Sequence, residues 1–156
     1  MPLACGTISL PTDGSSHTLL RSDEGGSVVD VELTFALPSN TAVQFGVDLL
    51  GIEDALQLKV AAPNANSSRN VTLVVEGCHG TFVLPKPAVS LPVRVLVDVV
   101  SLEVFAGHGR GVCSVSVPGT QIGKPAPVNV KGTSSLTGRA HQLSLTIWGM
   151  GPISVA

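Results

Sequence analysis

The chain has 156 residues, which suits a single domain, and 44% of them are apolar while only 13% are charged. Nine Lys and Arg residues stand against eleven Asp and Glu, giving a formal net charge of −2. The basic residues are scattered and form no cationic stripe, which argues against nucleic acid and anionic membranes as partners. No apolar run approaches the roughly 18 residues of a membrane-spanning helix, and the first residues lack the pattern of an export signal. We therefore expect a soluble chain.

Short runs with a period of two dominate the first half of the chain. Residues 1–17 are rich in Ser, Thr, Gly and Pro, so we predict a lead-in with at most one edge strand, followed by a single domain at residues 18–156. Apolar and polar residues then alternate, as in strands with one wet face. The predicted strands are 18–20, 29–35, 43–49, 56–60, 71–76 and 81–84. A helix over residues 51–58 is an alternative to the fourth of these.

The strongest hairpin pattern lies at residues 93–117. Alternation over residues 93–97 resumes at 102–106, and the break between them places Asp98 and Ser101 where their side chains can bond the amides of a tight turn. The glycines of residues 107–111 supply the positive φ of a second reversal, after which residues 112–117 predict a third strand. Further strands are predicted within 125–132 and at 142–148. The pattern therefore predicts three adjacent antiparallel strands.

About ten short strands separated by Gly and Pro predict an all-β fold, a two-layer antiparallel β-sandwich of the jelly-roll or lectin-like kind. Phe35, Phe45 and Trp148 lie in alternating strands, so we expect them in the core. The three cysteines, Cys5, Cys78 and Cys113, match no zinc spacing. Buried free thiols are the favoured interpretation, and one disulfide with a spare thiol is the alternative.

The residues give little support for catalysis. Asp98 and Glu103 could form a glycosidase carboxylate pair, but their places at a turn and on an alternating strand favour a structural role. No G-x-S-x-G elbow occurs, and the four histidines lie far apart without carboxylates at ligand spacing, so we predict no metal and no cofactor. The triplets at residues 66–68 and 70–72 satisfy the N-glycosylation pattern, which indicates an exposed turn and does not by itself establish secretion.

The run VDVVSLEVFAGHGR resembles the signature hairpin of the C-terminal β-sandwich domain of glycoside hydrolase family 32, V-D-x-x-S-[VI]-E-[VI]-F-x-N-x-G. The matching residues are Asp98, Ser101, Glu103, Val104, Phe105 and Gly109. Gly107 stands where the family usually has Asn, and His108 where Asp is common. QFGVDLL at residues 44–50 and LSLTIWGM at residues 143–150 are similar to further strands of that domain, and a levan-binding module, family 66, is similar to the same sandwich.

The resemblance implies a non-catalytic accessory domain of a fructan- or sucrose-hydrolysing enzyme. The family's catalytic motifs, W-M-N-D-P-N-G, R-D-P and E-C, belong to an N-terminal propeller and do not occur in this sequence. Such a domain would hold the terminal fructose of levan, inulin or sucrose-like sugars in a small polar pocket that needs no aromatic platform. The candidate ligand-binding residues are charged and predicted on wet faces near the central strands: Asp98, Glu103, Arg110, Arg94, Asp48 and Glu76.

A structural role is the alternative to sugar binding. The low charge and high apolar content would suit a sandwich that packs on a catalytic propeller, or on its own copy, without binding sugar. The expected partners are therefore a fructose-containing carbohydrate, a parent catalytic domain or a second copy of the chain. The sequence does not determine the cellular location, which would be extracellular if the chain is part of an exported hydrolase.

Overall fold

The computed structural model describes residues 2–21, 28–98, 100–116, 127–134 and 140–149. These ranges contain twelve strands: β1 (Ala4–Pro11), β2 (His17–Leu20), β3 (Val29–Ala36), β4 (Val43–Leu49), β5 (Ile52–Val60), β6 (Arg69–Val75), β7 (Cys78–Leu84), β8 (Ser90–Val97), β9 (Ser101–Ala106), β10 (Gly111–Ser116), β11 (Val128–Ser134) and β12 (Ala140–Gly149). Nowhere in them does a helix reach the length and hydropathy needed to cross a membrane. The predicted strand residue 117 and positions 125–126 lie outside the described residues.

The strands form two six-stranded antiparallel sheets, which confirms the predicted all-β sandwich. Sheet 1 has the order β1-β12-β3-β8-β9-β10, and sheet 2 has the order β2-β11-β4-β5-β6-β7. The central hairpin is present as predicted, since β8 and β9 pair from Val97↔Leu102 to Val93↔Ala106. β1 falls in the segment predicted as a lead-in and pairs with β12 along its whole length, at the edge of sheet 1.

The core fills the space between the sheets with inward-facing residues of both layers. Phe35 of β3 and Phe45 of β4 are fully buried and stack with ring centroids 4.1 Å apart, which confirms their predicted place in the core. The same expectation is wrong for Trp148, which is only partly buried. Ile147 beside it faces the core, and successive residues of a strand point to opposite faces, so Trp148 lies on the outer face of sheet 1.

The strand β5 begins earlier than the pattern indicated, and the alternative of a helix over residues 51–58 is wrong. β4 and β5 pair antiparallel with a register shift between Val47 and Leu49. The Asp48 Oδ1 accepts a hydrogen bond from the backbone N–H of Asp54 at 2.8 Å. This N–H has no partner in the strand pairing at the register shift, so the carboxylate satisfies it. The turn therefore comprises only Leu50 and Gly51, and β5 begins directly after it at Ile52.

One side of the sandwich is closed across the two sheets. A disulfide joins Cys78 of β7, the edge strand of sheet 2, to Cys113 of β10, the edge strand of sheet 1. The expectation of free thiols is therefore wrong for this pair, because the sheet order brings the two edges together; Cys5 is free and exposed. Beside the disulfide, the Phe82 ring lies against the β9–β10 turn, where a Cβ on Gly107 or Gly111 would come within 2.6 Å of it.

A buried arginine ties the loops together at one end of the sandwich. Arg69 begins β6 and its side chain is only 1% exposed. Its Nε donates to the Ala61 carbonyl at 2.8 Å, and its two terminal nitrogens donate to the carbonyls of Pro38 at 2.6 Å and Thr41 at 2.5 Å. Burial lowers the pKa of Arg69, yet a guanidinium stays protonated at neutral pH. The side chain thus links the β3–β4 and β5–β6 loops.

Candidate functional site

A shallow concavity of about 560 Å³ lies on the outer face of sheet 1. Strands β3, β8 and β9 supply its floor, and the β9–β10 turn supplies one wall, so we name it the β3–β8–β9 concavity. Its lining residues are Glu32, Leu33, Thr34, Pro92, Val93, Arg94, Leu96, Phe105, His108 and Gly109. Because the three strands are adjacent and antiparallel, their outward side chains fall into rows across the face.

Arg94 occupies the middle of the central row. It stands directly opposite Glu32 on β3 and opposite Phe105 on β9. Its Nε and Nη2 donate to the two carboxylate oxygens of Asp30 at 3.0 and 2.7 Å, and its Nε lies 3.9 Å from Glu32 Oε1. The hydrogen bond with Asp30 and the charge of that carboxylate raise the pKa of Arg94. A two-point pair of this kind fixes the plane of the guanidinium and leaves Nη1 directed away from Asp30.

An apolar strip adjoins this arginine. Phe105 and Leu96 are partly buried on the outer face, and Val112 of β10, the cross-strand partner of Phe105, is 52% exposed. Phe105 was not among the residues predicted for the site, although the sequence carried a signal for it. Leu102, Val104 and Ala106 mark the inward phase of β9, so an aromatic residue between them had to face outward.

The β9–β10 turn holds His108 at the rim. His108 adopts a left-handed φ of 58°, and its side chain is exposed. The turn is closed by Arg110, whose N–H and Nη1 both donate to the Gly107 carbonyl, at 3.3 and 3.2 Å. Arg110, one of the sequence candidates, thus shapes the rim and does not line the concavity.

None of the other four sequence candidates lines this concavity. Glu103 shares the outer face with Arg94 but stands one row away, opposite Leu96. Asp98 is exposed at the β8–β9 turn, where its N–H donates to the Ser101 carbonyl at 2.8 Å. Asp48 belongs to the β4–β5 irregularity of sheet 2, and Glu76 to the exposed β6–β7 turn. Of the six candidates, the structure brings Arg94 to the concavity and places Arg110 and Glu103 beside it.

A second charged group lies on the outer face of sheet 2. Lys131 Nζ is 3.0 Å from Glu53 Oε1 and 3.2 Å from Asp54 Oδ1, and these carboxylates raise the pKa of Lys131. Both carboxylates therefore have a cationic partner. In the part of the chain that the structure describes, no three His, Cys, Asp or Glu residues come together as a metal site would require.

Fold and surface together define an antiparallel β-sandwich with a concavity on the outer face of sheet 1 and a disulfide that joins the two sheets along one side. The family model described as "Glycosyl hydrolases family 32 C terminal" matches residues 7–148, and the chain belongs to this family. The resemblance predicted from the central hairpin is thereby confirmed. The C-terminal sandwich is the non-catalytic part of family 32 enzymes, whose catalytic site lies in the N-terminal propeller, so the expectation that this chain is not itself an enzyme is also confirmed.

Solved structures show the same fold at low identity. Exo-inulinase from Aspergillus awamori aligns with a TM-score of 0.54 and 17% identity over 96% of this chain and 29% of that enzyme. Fructan 1-exohydrolase IIa from Cichorium intybus aligns with a TM-score of 0.57 and 12% identity over 95% of this chain and 36% of that enzyme. The chain thus spans about a third of the length of these enzymes. A search of curated proteins returns no significant match.

Proposed function

We propose that this chain is the accessory domain of a fructan- or sucrose-hydrolysing enzyme and that it binds terminal fructose units in the β3–β8–β9 concavity. Membership of the family supports the first half of the proposal. The observation that carries the second half is the fixed guanidinium of Arg94 between Glu32 and the exposed side of Phe105. Sugar sites combine a few oriented charged groups with an apolar surface, and this concavity offers both.

Each group has a defined part in holding a furanose ring. Arg94 Nη1 donates to a ring hydroxyl, and the Glu32 carboxylate accepts from the neighbouring hydroxyl. Phe105 covers the C–H side of the sugar. Since Asp30 already orients Arg94, little side-chain freedom is lost on binding. The hydroxyls must give up water for each bond they form, so we expect an affinity on the order of 1 mM per site.

Retardation in native gels cast with levan or inulin tests this proposal. The wild type should be retarded and Glu32→Gln much less so, with affinity reduced about 5–10-fold because the sugar hydroxyl then donates to a neutral amide oxygen instead of a charged carboxylate. Glu76→Gln is the matched control, since it makes the same change at an exposed turn of sheet 2 and should bind as the wild type does. Unchanged mobility of the wild type at high polysaccharide would contradict the proposal.

A packing role for the same face is the second candidate. Val112, 52% exposed, extends the apolar strip of Phe105 onto β10, the edge strand of sheet 1. A catalytic propeller or a second copy of the chain would cover this strip. Light scattering after size exclusion tests self-association: a mass above one chain that falls to one chain in Val112→Asp supports packing between copies. A single-chain mass at all concentrations excludes self-packing.

A further inference from the structure

Two acceptor triplets for N-linked glycosylation, Asn66-Ser67-Ser68 and Asn70-Val71-Thr72, lie at one corner of sheet 2. Asn66 belongs to the loop between β5 and β6, and Asn70 is the second residue of β6. Both asparagine side chains are exposed. Neither triplet has proline in its middle position, which would block the acceptor conformation.

The loop does not depend on the side chain of Asn66. Asn64 holds the loop, because its Oδ1 accepts the N–H groups of Asn66 and Ser68 at 2.9 and 3.2 Å. Its Nδ2 donates to Ser68 Oγ at 2.7 Å. The side-chain amide of Asn66 makes no hydrogen bond to any described residue. A sugar on this nitrogen would therefore break no contact of the loop.

Asn70 presents its amide on the outer face of sheet 2. Val71 faces the core, so Asn70 and Thr72, the acceptor and the hydroxyl residue of the triplet, lie together on the outside. They line a second, mostly open concavity of about 520 Å³ that also includes Gln44 and Lys59. These polar groups suit the first sugars of a glycan. The β3–β8–β9 concavity lies on the outer face of the other sheet, so a glycan here would leave it open.

The disulfide between Cys78 and Cys113 is an independent observation that favours passage through a secretory compartment. Disulfides form and persist in oxidising compartments such as the endoplasmic reticulum, where N-linked glycans are also added. We propose that residues 66–72 are the acceptor segment for an N-linked oligosaccharide, added while the chain passes through a secretory compartment. This inference does not rest on sugar binding by the opposite face.

The modification is a glycosyl transfer from a lipid-linked pyrophosphate oligosaccharide. The asparagine Nδ2 forms a bond to C1 of the first N-acetylglucosamine, and the bond from C1 to the pyrophosphate oxygen breaks. The lipid pyrophosphate leaves with the electron pair, and Nδ2 gives up one proton to base. No oxidant or reductant is consumed.

Secretion of the 156-residue chain from a yeast or insect host behind a signal peptide tests the proposal. Intact mass before and after peptide-N-glycosidase should show a removable glycan, with Asn66 or Asn70 converted to Asp by the release. Asn66→Gln/Asn70→Gln should lack it. In the Asn66→Gln background, Thr72→Ser should keep the glycan on Asn70 and Thr72→Ala should lose it, because only the first retains the required hydroxyl.

Two results would overturn the inference. One is a secreted wild-type chain, with its disulfide formed, whose mass is that of the polypeptide alone. The other is a glycan that survives in Asn66→Gln/Asn70→Gln. Both asparagines are exposed and make no side-chain hydrogen bonds to described residues, so the variants should fold as the wild type does; thermal melting checks this.

Discussion

Replacing Arg69 by methionine should strongly destabilise the fold. The side chain is 1% exposed, and its guanidinium donates three hydrogen bonds to loop carbonyls without a carboxylate partner among the described residues. Methionine keeps an apolar stem of similar length. It cannot donate to any of the three carbonyls, so the change isolates the hydrogen bonds from the packing.

The expected loss follows from those three bonds. Hydrogen bonds to a charged group contribute about 1.5 kcal/mol or more each, which gives about 4.5 kcal/mol for the set. Removing the buried charge relieves its desolvation and offsets about 1–2 kcal/mol of this. The net loss is about 3 kcal/mol, or about 6–12 °C in Tm for a domain of this size. Arg69→Lys should fall in between, since one compact ammonium cannot match three separated acceptors.

Urea unfolding and thermal melting followed by circular dichroism measure this loss. Lys59→Met is the matched control, because it removes a cation from the exposed face of β5 and should change stability by less than about 0.5 kcal/mol. If Arg69→Met melts within about 2 °C of the wild type, the three bonds contribute nothing net and the reasoning is refuted.

Three further predictions concern the closed side and the core. The disulfide closes a loop across a sequence separation of 35, so breaking it with dithiothreitol should lower the free energy of unfolding by about 4 kcal/mol and lower the Tm. Changing both Cys78 and Cys113 to Ala should lower the Tm similarly, and dithiothreitol should then have no further effect. An unchanged Tm would contradict this. Burial lowers the pKa of His141 below 6.5, so the unfolded chain binds a proton that the folded chain excludes. Stability should therefore fall as pH drops through 6.5 toward the folded pKa, and His141→Leu should flatten that part of the profile in urea melts; an equal slope in the variant would refute the assignment. Gly111→Ala should lower the free energy of unfolding by about 1–3 kcal/mol, because the added methyl group meets the Phe82 ring. In a Phe82→Ala background the same change should cost much less, since the ring is gone. If the losses of the two single variants simply add in the double variant, the contact is contradicted.

Alternation with a period of two was enough to predict most of the fold. It gave the strands of both sheets because one face of each strand meets the core and the other meets water. The central turn was also predictable, since Asp98 and Ser101 end one run and begin the next. The start of β5 was not, because the Asp48 carboxylate satisfies an amide across an irregular register that no periodicity reveals.

Features that depend on sheet order could not be read from the chain. Cys78 and Cys113 meet only because β7 and β10 are the edge strands on the same side of the sandwich. The same holds for the candidate site. Arg94 was a candidate because of its charge. Its pair with Asp30, which lies 64 positions away in the sequence, forms only because β3 lies beside β8. Phe105 was the exception, since the phase of β9 alone indicated its outward direction.

Chemical-shift mapping locates a bound sugar on the domain residue by residue. A ¹⁵N-labelled sample would be titrated with fructose and a short inulin oligomer, and amide shifts followed to saturation. Fructose recognition by the outer face of sheet 1 predicts saturable shifts that cluster at Thr34, Arg94, Phe105 and His108. The absence of shifts at high sugar, or shifts centred on Lys59 and Asn70 of sheet 2, would contradict it.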